Sequence, residues 1–367
     1  MPSAYATKVA EGFSQKLLKH IYEYAPIESL VNRDYEGEIN AVGSKLNIGN
    51  LAKISEKTYS GANLSVDSLY ETNSVLTIDQ FKSFYWAEKT LDKFKSYIKQ
   101  PKGTVLEQTA NERKKNIMTY LLGFYADAGA GNWYGTDYTT GTVTITTSTG
   151  AVVGSGTTFT SGMVGKPFKA TGHTKWYRVK DFTDTTHITI ENDSDDETSA
   201  YDGGTITGAT YTIQANTVKT IDNGGSNPSF LTMTLALKQM LDEAEVPDED
   251  RFMFLPPAAF TTLMKDSGIK LAVPAAYDEL VKQGFIGQLE GFQLFKSNRV
   301  AGDNTNGYHI VAGHKSWLTY ADKALEVGME EDLIGNFGSA YKDLFVYGAK
   351  VADVRRPFGC HAFVKFA

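Results

Sequence analysis

An α+β fold interrupted by a small all-β module is what this sequence predicts, and three observations carry that reading. Residues 104–128 place Leu106, Ala110, Ile117, Leu121, Phe124 and Ala128 along one stripe of a helix. From Thr136 to Thr220 the composition turns to Thr and Gly, in short alternating runs such as GTVTITT and TGATYTI. Beyond Asn227 helical and strand patterns alternate without βαβ regularity. With 367 residues, 41% of them hydrophobic and 22% charged, the chain is long enough for two cores or for one domain with a large insertion.

Taken in order, residues 5–24 set Tyr5, Val9, Phe13, Leu17 and Ile21 at helical intervals and stop before Pro26. That helix either packs on the core or grips a neighbour. From Glu38 to Ile54 the apolar residues Ile39, Val42, Leu46, Ile48 and Ile54 interleave with Lys45, Asn47 and Lys53, the pattern of a long half-exposed strand. SVLTIDQFKSFYWAEK, 74–89, reads as a second strand with Leu76, Ile78, Phe84 and Trp86 on one face. The two make a hairpin-like arm with too little apolar surface for a core, and an isolated two-stranded hairpin is marginal in water, so the arm is expected to lie on another subunit.

Thr104 and Glu107 have the spacing of a capping box at the start of the long helix. A second helix opens at Asn227 with Pro228 in its first position and Phe230, Met233, Leu237, Met240, Leu241 and Ala244 as its buried stripe. RFMFLP, 251–256, reads as a buried strand, and another helix follows near 257–265.

The composition argues against several kinds of function. A net charge of −7 does not suit tight wrapping of nucleic acid, which needs a local excess of Lys and Arg. The single cysteine, Cys360, excludes an intrachain disulfide, and no stretch approaches the ~20 apolar residues of a membrane span. Phosphate-binding glycine motifs and a G-x-S-x-G elbow are absent. His20, His173, His187, His309, His314 and His361 fall into no zinc spacing, so they read as ordinary polar positions and no metal or cofactor is expected. Cys360 and His361 are adjacent, and neighbours on a strand point to opposite faces, which argues against a thiol and its base. The acidic run Asp193, Asp195, Asp196, Glu197 lacks the order of a calcium loop and reads as a solvated turn.

Three stretches carry a family likeness: YEGEINAVGSKLNIGNLAKI at 35–54, GFIGQLEGFQLFKSNRV at 284–300 and LFVYGAKVADVRRPFG at 344–359. In this order, with an amino-terminal arm before them and the long helix between, they resemble the major capsid protein of tailed double-stranded DNA bacteriophages. The resemblance implies an arm over 1–34, an extended loop over 35–92 and a peripheral domain with its spine helix over 93–135. It further implies an axial domain with returns to the peripheral domain over 216–345 and a carboxy-terminal strand region over 346–367. The β-rich insert at 136–215 departs from the minimal subunit. Gly284, Gly287 and Gly291, followed by Asn298, resemble the glycine-marked turn of the axial domain near the centre of each pentamer or hexamer.

The implied function is structural and not enzymatic: copies of the chain form the pentamers and hexamers of an icosahedral head around double-stranded DNA, in a virion assembled in the host cytoplasm. Implied partners are other copies, a separate scaffold protein and a portal, with decoration proteins as further candidates and packaged DNA held without sequence-specific contacts. A bacterial encapsulin shell and a β-rich surface adhesion protein are the alternatives. Lys45, Lys53 and Lys57, with Glu56 and Asp67 after them, are expected to meet a neighbouring subunit through charge. The first and last strands of the insert, GTVTITT and TGATYTI, are expected to pair. That pairing brings the two junctions together, so that the host fold is indifferent to the module. Its 5 Lys and Arg against 8 Asp and Glu over 141–213 favour an outward position.

Overall fold

The computed structural model describes residues 31–34, 45–51, 71–89, 101–194, 200–222, 225–265, 287–330 and 337–367. The helix expected at 5–24, the outer parts of the 38–54 strand, Lys53, Lys57, Gly284 and the acidic residues Asp195, Asp196 and Glu197 lie outside the described residues.

Strands β1 (Val31–Asn32), β2 (Lys45–Leu51), β3 (Glu71–Thr77) and β4 (Gln80–Lys89) precede helix α1 (Pro101–Leu122), which tightens into a 3-10 turn over Gly123–Asp127. β5 (Trp133–Tyr134) leads into the Thr-rich region. There β6 (Thr136–Tyr138), β7 (Thr142–Ile145), β8 (Ala151–Ser155), β9 (Pro167–Ala170), β10 (Tyr177–Asp184), β11 (His187–Asn192), β12 (Ile206–Ala209) and β13 (Tyr211–Thr217) follow one another. Next come β14 (Lys219–Ile221), α2 (Phe230–Glu243), β15 (Arg251–Leu255), α3 (Pro257–Lys265), β16 (Gln288–Leu289) and β17 (Phe292–Lys296). β18 (Ala301–Asp303), β19 (Gly307–His314), β20 (Leu318–Glu330), β21 (Gly338–Lys350) and β22 (Gly359–Phe366) complete the order.

The body is built on a sheet of order β14-β22-β19-β15-β17-β16, with β18 beside β19 and β5 beside β22. Its inner strand β15 reads as a nearly continuous apolar run because both of its faces are covered; all five of its residues are buried. Phe230, Met233, Leu237 and Leu241 of α2 and Ile117, Met118, Leu121 and Leu122 of α1 share one cluster with Phe252 and Phe254 of β15, Ile310 of β19 and Val364 of β22. α2 starts later than the sequence suggests. Ser229 is its cap, its side chain accepting from the Thr232 N–H at 3.3 Å, and Pro228 stands before the cap. α1 starts earlier, at Pro101, so Thr104 is inside the helix instead of capping it.

A second sheet, order β1-β20-β21-β4, runs along α1. β20 and β21 are 13 residues each, an antiparallel pair about 44 Å long at ~3.4 Å per residue. α1 is fixed to one face of it: the Arg113 guanidinium lies 4.4 Å from the centre of the Phe345 ring and 5.3 Å from that of Phe84, and pairs with Asp343. Tyr120 packs edge-on to Tyr347 and donates its hydroxyl to Asp79 at 3.1 Å.

β2 and β3 form the expected antiparallel ribbon, Lys45 opposite Thr77 and Leu51 opposite Glu71. The strand read over 74–89 is two strands, however. The chain turns at Ile78-Asp79, and β4 leaves the ribbon to pair with β21, Gln80 opposite Tyr347 and Lys89 opposite Gly338. The described part of the ribbon also rests on its own subunit, since Ile48, Leu76 and Ile78 are buried against Ala321 and Val346. A Cβ on Gly348 would come within 2.4 Å of the Thr77 carbonyl oxygen, so the ribbon approaches β21 more closely there than any side chain permits.

The Thr-rich region makes a third sheet, order β12-β7-β8-β11-β10-β9-β13-β6, antiparallel throughout. It has its own buried cluster, including Ile145, Val152, Phe159, Phe168, Val179, Ile188 and Ile213. Val143 faces Ala209, and Thr136 faces Thr217, so the expected pairing of first and last strands is present and both junctions meet at one neck.

Candidate functional site

Two regions combine exposure or burial with chemistry that the core does not need. The first is the face of the β20–β21 sheet opposite α1. Antiparallel partners share a face, so Phe81, opposite the buried Val346, lies on the ribbon side. Successive strand residues alternate, which puts Ser83, Tyr85 and Ala87 there too, all exposed. Phe81 is 47% and Tyr85 63% exposed, and β4 has β21 as its one neighbour among the described strands. Phe337, 89% exposed, precedes β21. A long edge strand with aromatic side chains and unpaired backbone groups is a ready surface for another chain.

Of the expected interface residues, Lys45 is exposed at the start of the ribbon. Gly287 and Gly291 flank β16, far along the body sheet. Leu289 pairs with Phe292 across a two-residue turn in which Glu290 and Gly291 have φ of 49° and 89°. This is the doubly left-handed conformation of a tight hairpin, in which glycine is favoured at the second position. A Cβ at Gly287 or Gly291 would meet nothing within 4 Å, so neither marks a close approach, and of the two it is Gly291 that serves the turn. Asn298 is exposed two residues beyond β17. The structure therefore does not bring Lys45 and the glycine turn together within one subunit.

The second region is the neck of the third sheet, and sequence reasoning missed it. Asp193 is not a solvated turn residue. Its side chain is 15% exposed and pairs with Arg178 of β10 and with Arg356, 3.0 Å away, which is itself 5% exposed. The remaining oxygen accepts from the Ala130 N–H at 2.8 Å. Arg178 also donates to the carbonyls of Ala126, Gly165 and Ala128, and Arg356 to Asp353. Gln214 and Gly131 exchange side-chain and backbone hydrogen bonds at 3.0 and 3.2 Å. A near-buried carboxylate between two near-buried guanidiniums holds module to body by hydrogen-bonded charge.

Cys360 is fully buried, and burial pushes its thiol far up, the reverse of a reactive cysteine. Its adjacent His361 instead meets His309 at 2.9 Å. Among the described residues no group of three or more His, Cys, Asp and Glu could hold a metal ion, and no helix is long and apolar enough to cross a membrane.

Residues 194–360 match a family model described as phage capsid protein; the match runs from just after β11, inside the module, through α2 and the β20–β21 pair to the start of β22. No curated protein matches the chain. Among solved structures, one from Mycobacterium phage Che8 is similar at a TM-score of 0.58 with 18% identity, over 98% of each chain. The capsid of cyanophage P-SCSP1u gives 0.59 with 12% identity over 98% of this chain and 94% of that one. The mature capsid of bacteriophage PhiM1 gives 0.53 with 12% identity over 97% and 91%. At these identities the likeness is one of fold, and it extends along the whole subunit, the resemblance expected from the three sequence stretches. The match of residues 194–360 to the phage capsid protein family, set on a fold that the chain shares with solved phage capsid subunits along its length, supports a structural major capsid protein of the phage head.

Proposed function

We propose that the chain closes an icosahedral head around double-stranded DNA by forming pentamers and hexamers, and that the β4 face and the ribbon are where subunits meet. The observation that carries this reading is the row Phe81, Ser83, Tyr85 and Ala87, solvent-facing on an edge strand, with two exposed aromatics on one face while most large apolar residues described are buried in coherent clusters. An isolated subunit gains nothing from that row, whereas a neighbour laid along it would bury both aromatics.

Lys45, with Lys53 and Lys57, would add charge contacts from the ribbon, and the Gly287–Gly291 turn with Asn298 would face the centre of each capsomer. The β6–β13 module, which spans the insert expected at 136–215, would stand on the outer surface, where its acidic balance hydrates well and takes no volume from the genome. A scaffold protein and a portal would complete assembly, decoration proteins could add to the exterior, and an acidic subunit of net charge −7 would contain DNA without binding it tightly. Electron microscopy of the purified full chain, with and without scaffold protein, should show shells or capsomers. A stable monomer at high concentration under both conditions would count against the proposal.

A further inference from the structure

Beside the neck lies a stack of rings that shell building leaves unused. Tyr125, His309 and Phe363 are layered nearly parallel, with centroids 4.2 Å and 4.6 Å apart. His361 lies 5.1 Å from both Tyr125 and His309 and edge-on to Trp133 at 4.5 Å. Strand pairing forces the meeting. β19 and β22 are antiparallel, with His309 opposite Phe363 and Val311 opposite His361, so the two histidines are diagonal neighbours on one face. His309 Nδ1 and His361 Nε2 are 2.9 Å apart, one donating to the other. His361 is 1% exposed, and its Nδ1 is buried without a hydrogen-bond partner.

The charges acting on this pair come from the module. Lys166, in the turn before β9, donates to the Asn216 carbonyl at 2.5 Å and is itself lowered to about 8 by burial. Arg178 of β10 lies 5.6 Å from the centre of the Trp133 ring. Both are cations. Burial, with Lys166 adding, holds His309 down to about 4. Burial, then His309, Lys166 and Arg178, holds His361 well below the ordinary histidine value.

We propose that the His309–His361 pair is an acid-sensitive latch: taking up protons puts imidazolium charges in contact beside Lys166 and Arg178, and the repulsion loosens the β6–β13 module from the body. The direction follows from which state binds protons. An opened neck exposes both imidazoles to water, where they titrate near ~6.5, while the closed neck keeps both neutral to much lower pH. Closure is therefore at full strength above about pH 6.5. It weakens as pH falls from there toward 4, by up to about tenfold in the opening equilibrium per pH unit for each histidine.

Amide hydrogen exchange on the full chain, corrected for the intrinsic pH dependence of exchange, tests this. Between pH 7.5 and 5.0 protection of β5, β6 and β13 should fall by about 30-fold or more, while that of β15 in the body holds. His309→Gln keeps a hydrogen-bonding neighbour for His361 but takes no proton, so it should match the wild type at pH 7.5 and lose about 30-fold less protection at pH 5.0. An acid loss identical in variant and wild type, or no loss at the neck in the wild type, would overturn the latch. Should the variant not fold, imidazole resonances of the wild type decide. His309 titrating near 4 as the neck loosens supports the latch, and His309 titrating near 6.5 in the closed state sinks it.

Discussion

Asp193 meets Arg178 and Arg356 where none of the three has ready access to water. Replacing it by alanine would leave two guanidiniums without their shared carboxylate, and breaking a buried pair by removing one partner typically costs about 3–5 kcal/mol. Asp193→Ala should therefore lower the urea midpoint clearly without changing the far-UV spectrum of the folded state. Nothing local in the sequence distinguished Asp193 from its acidic neighbours, because its partner Arg356 stands 163 positions away. His309 and His361 were hidden for the same reason: each looks ordinary until β19 and β22 pair. Gly348 belongs at this scale too. Gly348→Ala would drive a methyl group against the Thr77 carbonyl, with both strands fixed by hydrogen bonds. Overpacking of this kind typically costs about 1–3 kcal/mol, and thermal denaturation of the unassembled subunit would measure it.

Among the elements, those whose period is set by one covered face were readable and those set by distant pairing were not. α1, α2, β15 and the alternating strands of the module show their burial in their spacing. The break at Ile78-Asp79 is invisible because a period of two continues from β3 into β4 while the partner changes from β2 to β21. The same change leaves Phe81 and Tyr85 exposed on one face of β4, while Phe84 and Trp86, read on one face with Leu76 and Ile78, are half-buried on the other. Replacing both exposed aromatics by serine should shift subunit stability by no more than about 0.5 kcal/mol each. Shell yield, followed by sedimentation, should fall sharply if β4 is a contact. Unchanged yield would remove the β4 face from the assembly surface while leaving the fold assignment intact.

At the scale of the molecule, the neck decides whether the module can be removed. Thr136 opposite Thr217 brings the junctions together as the strand patterns suggested, yet the host fold is not indifferent. Deleting 136–215 takes away Arg178 and Asp193, so Arg356 stays near-buried after losing the Asp193 carboxylate, with its ion pair to Asp353 kept. A short Gly/Ser linker in place of 136–215 should thus give a destabilised or insoluble subunit. Adding Arg356→Met should recover part of the loss, since apolar replacement of a buried charge is often neutral or stabilising. Equal soluble yields of the two deletions would refute that account. The position of β22 has a consequence in time. It is an inner strand, flanked by β19 on one side and by β14 and β5 on the other, yet it leaves the ribosome after every other described strand. The module's strands are complete at Thr217, about 140 residues before β22 begins, an interval of roughly 7–28 s at ~5–20 residues per second. Throughout that interval a finished module is tethered to an unfinished body, in which β19, once made, has β15 and β18 but still lacks β22, so a nascent subunit cannot present a completed body sheet to a growing shell until translation has passed residue 366.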